Sequence, residues 1–187
     1  MKKGLIVVGV IVVLLIVGVM WFGGTYNSIV KLETNVDAKW AQIDNLLLRR
    51  SDLVPDLVKV ANKYAAYEQE TITSIANARA AMVGAGSIDE KMQANNELSS
   101  AISRLLAISE SYPDLKANTQ YVTLMDEMAG TENRIAVARK DYNEAVGQYN
   151  VKIKTFPTVF IANMLGAEEK TFFEVDEASK AKPKYDL

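Results

Sequence analysis

The first thirty residues of the chain hold one long apolar run. No charged side chain occurs between Gly4 and Val30, and residues 5–22 are apolar throughout, interrupted only by two glycines. These eighteen residues would rise roughly 27 Å as a helix, close to the thickness of the hydrocarbon layer of a bilayer. A single helix satisfies all its backbone groups inside that layer, so the run predicts a transmembrane helix.

A cleaved signal peptide is the alternative for this segment. Such a peptide has a shorter apolar core and small residues before its cleavage site. Here the run ends in the bulky Trp21 and Phe22, and Tyr26 follows closely, as in the aromatic belt of a membrane interface. We therefore expect a retained signal-anchor that contacts the lipid bilayer through residues 5–22.

The lysines near this segment predict its orientation. Lys2 and Lys3 precede the apolar run, whereas only Lys31 and Lys39 follow it closely. The positive-inside rule then favours an N-terminus in the cytoplasm and the rest of the chain on the outer side of the membrane.

Beyond residue 24 the apolar positions recur at intervals of three, four or seven residues, which is the spacing of one helix face. Four long helices are predicted, at about 25–49, 52–83, 88–110 and 116–154, with a short helix at 158–165. No long stretch alternates with period two. The fold class is therefore all-α, with an N-terminal transmembrane helix followed by an antiparallel four-helix bundle of long helices. The stripes comprise Tyr26, Ile29, Val36, Trp40, Ile43 and Leu47; Val54, Leu57, Ala61, Tyr64, Ile75 and Met82; Met92, Leu98, Ile102, Leu105 and Ile108; and the coiled-coil-like seam Tyr121, Met128, Ile135, Tyr142, Tyr149 and Phe156.

Proline, glycine and capping residues predict where these helices end. Residues 49–55 are interpreted as a tight turn, because Pro55 is tolerated in a first turn but not in a helix interior; a kink in one longer helix is the alternative. Ser87 and Glu90 match a capping box, and Gly166 ends the short helix. The domains follow as residues 1–24 for the anchor, 25–166 for the bundle and 167–187 for a polar, mobile tail that Phe172 and Phe173 could pin.

Composition excludes several classes of chemistry. The chain has no histidine and no cysteine, so it lacks the commonest general base, thiolate nucleophiles and the usual zinc ligands. With Lys2 and Lys3 set aside, 19 basic and 23 acidic side chains remain, a net charge near −4 that argues against a nucleic-acid partner. We expect no cofactor and no catalytic or metal-binding residues.

Charged residues interrupt the apolar stripes at six places, the first of which is Glu33, seven residues before Trp40. Arg50, Glu68, Arg79, Glu132 and Arg139 lie on or beside the helix seams, where a lone charge is costly to bury. One interpretation is a set of ion pairs that fix helix register. The other is a functional carboxylate cluster, as in di-metal bundle proteins, but these use histidine ligands that this chain lacks. We favour the structural interpretation.

The order of short motifs resembles the LemA family of bacterial membrane-anchored proteins. The resemblance extends from the anchor to about Gly166 and implies a helical bundle behind one transmembrane helix. It supplies no catalytic residues. The motifs are Tyr26-Asn27, Ala38-Lys39-Trp40, Arg49-Arg50-x-Asp52-Leu53-x-Pro55, Tyr64-Ala65-x-x-Glu68, Ala78-Arg79, Tyr112-Pro113-Asp114-Leu115, Thr131-Glu132-Asn133-Arg134, Ala138-Arg139-x-x-Tyr142-Asn143, Tyr149-Asn150 and Phe156-Pro157.

These observations predict a non-enzymatic interaction or scaffold component of the bacterial envelope. Its partner would be another envelope protein or a second copy, docked on long helix faces such as the free end of the last helix. The alternative is an enzyme or ion-binding module built on the Glu/Arg cluster. Direct lipid binding by the bundle is disfavoured, since the expected basic amphipathic face is missing.

Overall fold

The protein was analysed as a computed structural model, which describes residues 2–65 and 67–173. These residues form helices and no β-strand, so the all-α prediction is confirmed. Residues 174–187, most of the predicted tail, lie outside the described residues. The helices are α1 (Lys2–Tyr64), α2 (Gln69–Gly84), α3 (Ile88–Ser109), α4 (Pro113–Lys116), α5 (Thr119–Lys154) and α6 (Thr158–Leu165).

The tight turn predicted at residues 49–55 is wrong, because α1 continues through Pro55. Proline has no backbone N–H, so the carbonyl of Ser51, four residues earlier, loses its partner within the helix. Arg79 of α2 donates its Nε–H to that carbonyl at 3.1 Å. The missing hydrogen bond is thus replaced from a neighbouring helix, and the predicted second helix at 52–83 is divided between α1 and α2.

The N-terminal part of α1 is long and apolar enough to cross a bilayer, judged by length and composition. The large apolar residues described between Ile6 and Phe22 are 39–73% exposed, so these side chains are not covered by the described part of the protein. Gly23 and Gly24 lie inside the same helix, so the apolar run continues into the folded part without a break.

The described residues group into two compact units. The first unit comprises α1 up to Trp40 together with Asp141–Phe172. Its core contains apolar side chains from α1, the C-terminal part of α5, and α6. They are Ile29, Val36, Tyr142, Ala145, Val146, Tyr149, Ile153, Ile161 and Ala162.

The second unit comprises Ala41–Lys140 and Phe173. Its core follows the predicted stripes of α1, α2, α3 and α5. The buried apolar residues include Ile43, Leu47, Val54, Leu57, Ala61, Ile75, Met82, Leu98, Leu105, Tyr121, Met128 and Ile135.

Capping residues explain three of the remaining helix ends. The predicted capping box is confirmed: the Ser87 hydroxyl accepts from the Glu90 amide, and the Glu90 carboxylate accepts from the Ser87 amide. Gly166 ends α6 with a left-handed φ of 66°, as predicted. The fourth predicted helix begins later than expected, because Asn118 accepts from the Tyr121 amide at 2.9 Å and caps α5 there.

Candidate functional site

The five charged residues of the predicted cluster, Arg50, Glu68, Arg79, Glu132 and Arg139, all lie in the second unit, but only two of them meet. Arg50 of α1 and Glu132 of α5 form an ion pair of 2.6 Å between Nη1 and Oε2. Glu68, Arg79 and Arg139 each contact other groups. The structure therefore resolves the predicted cluster into one charged centre and three separate contacts.

The centre is a buried arginine surrounded by acceptors. Arg50 is only 3% exposed. Besides Glu132, its Nη1 donates to Asn95 Oδ1 at 2.6 Å and to Ser99 Oγ at 2.9 Å, both on α3. Three helices of the second unit thus converge on one guanidinium nitrogen, and we call these four residues the Arg50 network.

Burial and charge act on Arg50 in opposite directions. Removal of the guanidinium from water lowers the pKa of Arg50, and the neighbouring carboxylate of Glu132 raises it in part. Arginine nevertheless keeps its proton in proteins, so the group remains a buried cation. Its Nε has no hydrogen-bond partner, and Glu132 Oε2 lies close to Nη1 without regular hydrogen-bond geometry. The contact between the two residues is therefore chiefly one of charge.

Two members of the network were missed in the sequence. Asn95 and Ser99 are uncharged, so a search for charges inside apolar stripes passes over them. A signal existed for Asn95, which lies midway between the core residues Met92 and Leu98 on the buried face of α3. An amide at such a position usually has a polar partner on another element.

The other three predicted residues serve local contacts. Glu68, just before α2, accepts from the Tyr112 hydroxyl at 3.0 Å, and this hydrogen bond raises the pKa of that phenol. Arg79 replaces the donor that Pro55 lacks. The guanidinium of Arg139 lies 5.5 Å from the centre of the Phe173 ring, a cation–π distance.

A second polar cluster lies in the first unit, around Lys170. Its ammonium group forms a 2.9 Å ion pair with Glu33 and lies 5.8 Å from the centre of the buried Tyr149 ring. The hydrogen bond to Glu33 raises the pKa of Lys170, while burial raises the pKa of Tyr149. The side-chain amide of Asn150 both donates to the carbonyl and accepts from the amide of Lys170, each at 2.9 Å. These bonds fix the segment after α6 against α5.

Neither cluster has the composition of a metal centre. Within residues 2–65 and 67–173, no group of three or more histidine, cysteine, aspartate or glutamate side chains is close enough to hold a metal ion. The Arg50 network offers one enclosed cation and one half-exposed carboxylate. Its geometry suits fixing the register of α1, α3 and α5.

Comparisons with known proteins give the chain a family. Magnetosome protein MamQ 2 of Paramagnetospirillum magneticum is 26% identical over 175 residues, which cover 80% of this chain and 64% of the relative. Magnetosome protein MamQ of Magnetospirillum gryphiswaldense is 26% identical over 174 residues, covering 79% of this chain and 64% of the relative. The chain therefore spans about two thirds of the length of these relatives. Protein LemA of Metamycoplasma hominis is 25% identical over 173 residues, covering 89% of this chain and 78% of the relative.

The model of the LemA family also matches this chain. It matches residues 39–186, which include every member of the Arg50 network and most of the folded part. Since the match covers well over half of the chain, the protein belongs to the LemA family.

Proposed function

We propose that the protein is held in a bacterial cell membrane by residues 5–22 and serves there as a non-enzymatic helical-bundle scaffold that binds another envelope protein or a second copy of itself. The observation that carries the anchoring is the 39–73% exposure of the large apolar side chains described between Ile6 and Phe22, which occur all round this part of α1. A helix that is apolar all round is stable only inside a protein core or a bilayer. Here no core covers it.

The energy available supports insertion. Residues 5–22 contain fourteen leucine, isoleucine, valine and phenylalanine side chains. At about 0.3–0.6 kcal/mol each on the insertion scale, they favour the bilayer by roughly 4–8 kcal/mol. The uninterrupted helix then makes the anchor a rigid extension of the first unit.

We favour binding over catalysis because the charged side chains on the seams are engaged in contacts within the fold. Arg50 is enclosed by its acceptors, Arg79 completes a helix, and Arg139 covers an aromatic ring. These side chains stabilise the fold and do not converge on a cleft. The names of the MamQ relatives describe a location, the magnetosome, and no reaction.

Anchoring is tested by membrane extraction of the full chain. Wild-type protein should stay in the pellet after an alkaline carbonate wash. The double variant Leu14→Arg/Leu15→Arg should be released, because two arginines at the bilayer centre cost about 5–7 kcal/mol. The matched control is Leu48→Arg, at an exposed leucine of the same helix outside the run, which should stay in the pellet. Release of the wild type would contradict the anchor.

Protein binding is tested by photocrosslinking in cells at native expression. Leu106 and Val137 are exposed apolar positions on α3 and α5 of the second unit, so probes there should not disturb its core. A discrete crosslinked product at either position, identified by mass spectrometry, is expected. If only monomer is recovered from both positions while the protein still sediments with the membrane, the scaffold function is contradicted and the membrane anchor is not.

A further inference from the structure

The exposed side chains of α6 are apolar except for Asn163. Phe160 and Met164 are 67% and 65% exposed, and Phe156, just before the helix, is 76% exposed. The opposite face, with Ile161 and Ala162, is buried in the first unit. Phe156 was predicted to continue the buried seam of the last helix, but α5 ends at Lys154 and Phe156 points outward. Neighbouring exposed apolar side chains of this kind are typical of surfaces that contact a membrane or another protein.

Contacts between α1 and α5 show which residue of α1 lies beside the end of α5, where α6 begins. Trp40 and Tyr142 pack edge to face with ring centres 5.8 Å apart. Glu33, seven residues before Trp40 on α1, forms an ion pair with Lys170. The backbone of Lys170 is hydrogen-bonded to Asn150, which lies eight residues after Tyr142 on α5. The two helices therefore run antiparallel.

Following this register past the end of α5 brings Phe156 level with about residue 26 of α1. The segment after α6 returns to the same level, because Glu169 forms a 2.7 Å ion pair with Lys154 at the end of α5. Burial agrees with this placement: Thr25 and Ile29 of α1 are covered within the first unit. The segments that precede and follow α6 are thus both close to where α1 leaves the apolar run.

That level lies in the headgroup region of the membrane. Tyr26 is four residues beyond Phe22, a rise of about 6 Å along the helix. The polar layer on each side of the hydrocarbon core is roughly 5–8 Å thick. Trp21, Phe22 and Tyr26 are exposed at this same level, where aromatic rings favour the interface.

We infer that α6 and Phe156 insert into the headgroup layer of the bilayer that holds residues 5–22, giving the first unit a second contact with the membrane. This inference rests on the proposed anchor. A protein partner at this face would have to enter the same lipid layer. The missing basic face is no obstacle, since the covalently attached anchor already holds α6 at the surface and electrostatic recruitment is not needed. Two contacts instead of one would restrict how the first unit tilts on the membrane.

The absence of cysteine in the chain makes the test direct. Full-length single-cysteine variants Phe160→Cys, Gln148→Cys and Leu14→Cys are labelled with an environment-sensitive nitrobenzoxadiazole dye and reconstituted in phosphatidylcholine/phosphatidylglycerol vesicles. Quenching is measured with lipids that carry a nitroxide near the headgroup or near the chain end. Gln148 is an exposed position of α5 whose level corresponds to about 18 Å beyond Phe22, so it serves as the matched control.

We expect the dye at residue 160 to emit at shorter wavelength and to be quenched at least twofold more by the shallow nitroxide than the dye at residue 148. The dye at residue 14 should be quenched by the deep nitroxide. Equal quenching at residues 160 and 148, with residue 14 still quenched, would overturn the inference and leave the anchor intact. No quenching at residue 14 would overturn the anchor itself.

Other occupants of this face give different results. A blue-shifted dye at residue 160 that no lipid quenches, and whose shift grows with the protein-to-lipid ratio, would mean that a second copy covers α6 and would overturn the inference. A second probe, Met164→Cys, guards against disturbance by the first label. Its shallow quenching should fall at least twofold when Phe156→Ser and Phe160→Ser are added, and unchanged quenching would count against insertion.

Discussion

Replacing Glu132 by glutamine removes the only charge that the ion pair presents to the buried cation of Arg50, while leaving the shape of the side chain. A contact with a charged group contributes about 1.5–3 kcal/mol, and breaking a fully buried pair costs about 3–5 kcal/mol. The side chain of Glu132 is 37% exposed, so water screens part of its charge and the lower range applies. We expect Glu132→Gln to lower the free energy of unfolding by about 2 kcal/mol.

The assay is thermal unfolding of the full chain in lipid nanodiscs, followed by circular dichroism at 222 nm. For a protein of this size, about 2 kcal/mol corresponds to a fall in Tm of roughly 4–8 °C. The matched control is Glu127→Gln, an exposed glutamate on the same helix, for which a change within about 0.5 kcal/mol is expected.

A double-variant cycle measures the interaction between Arg50 and Glu132. In an Arg50→Met background, where the buried cation is gone, Glu132→Gln should cost less than about 0.5 kcal/mol, because neighbouring residues in one network are not additive. Equal costs in both backgrounds would refute a stabilising ion pair. An unchanged Tm with lost cellular function would favour the alternative of a functional Glu/Arg cluster.

Three further predictions concern other contacts. Arg79→Met should cost about 1–2 kcal/mol by leaving a carbonyl unpaired, and Pro55→Ala should reduce that cost in chemical denaturation, since alanine restores the N–H. Asn150→Ala should speed tryptic cleavage after Lys170 about tenfold, because the two hydrogen bonds between the Asn150 side chain and the Lys170 backbone are lost. An unchanged cleavage rate would mean that these bonds do not hold the segment after α6 in place. The raised pKa of Lys170 contributes stability that is complete below the ordinary lysine value of 10.5 and is lost as pH rises through the folded value. Tm should therefore fall more steeply above that pH in the wild type than in Glu33→Gln.

The apolar stripes predicted most of the fold because helix period is a local property of the sequence. The third helix, its capping box and the short helix at 158–165 all appear at the predicted residues. The error at Pro55 has a different origin. Whether a helix tolerates an interior proline depends on whether the freed carbonyl finds another donor, and that donor, Arg79, comes from 28 residues further along the chain.

The charged residues show the same division. Their positions on the seams identified Arg50 and Glu132 as candidates for pairing, and the structure places them 2.6 Å apart. Sequence spacing could not separate them from Glu68 or Arg139, because helical period gives the face of a residue but not the level at which helices meet. The polar partners on α3, Asn95 and Ser99, were overlooked because they carry no charge.

The expected free end of the last helix also depended on tertiary structure. The C-terminal part of α5 is buried along Tyr142, Val146, Tyr149 and Ile153, so it packs within the first unit and leaves no bare helix end for docking. Neighbouring exposed apolar side chains lie instead on and beside α6, which the sequence predicted only as a short helix.

The sequence by itself determined that residues 5–22 form an apolar helix, that the fold is all-α, and that histidine and thiolate chemistry is absent. These properties depend on composition and on spacing along one chain segment. Tertiary structure alone decided that α1 passes through Pro55, that Arg50 meets groups from two other helices, and that α6 buries Ile161 while Phe160 stays exposed. Each of these depends on groups distant in sequence meeting at one level, and hydrophobic periodicity does not encode that level.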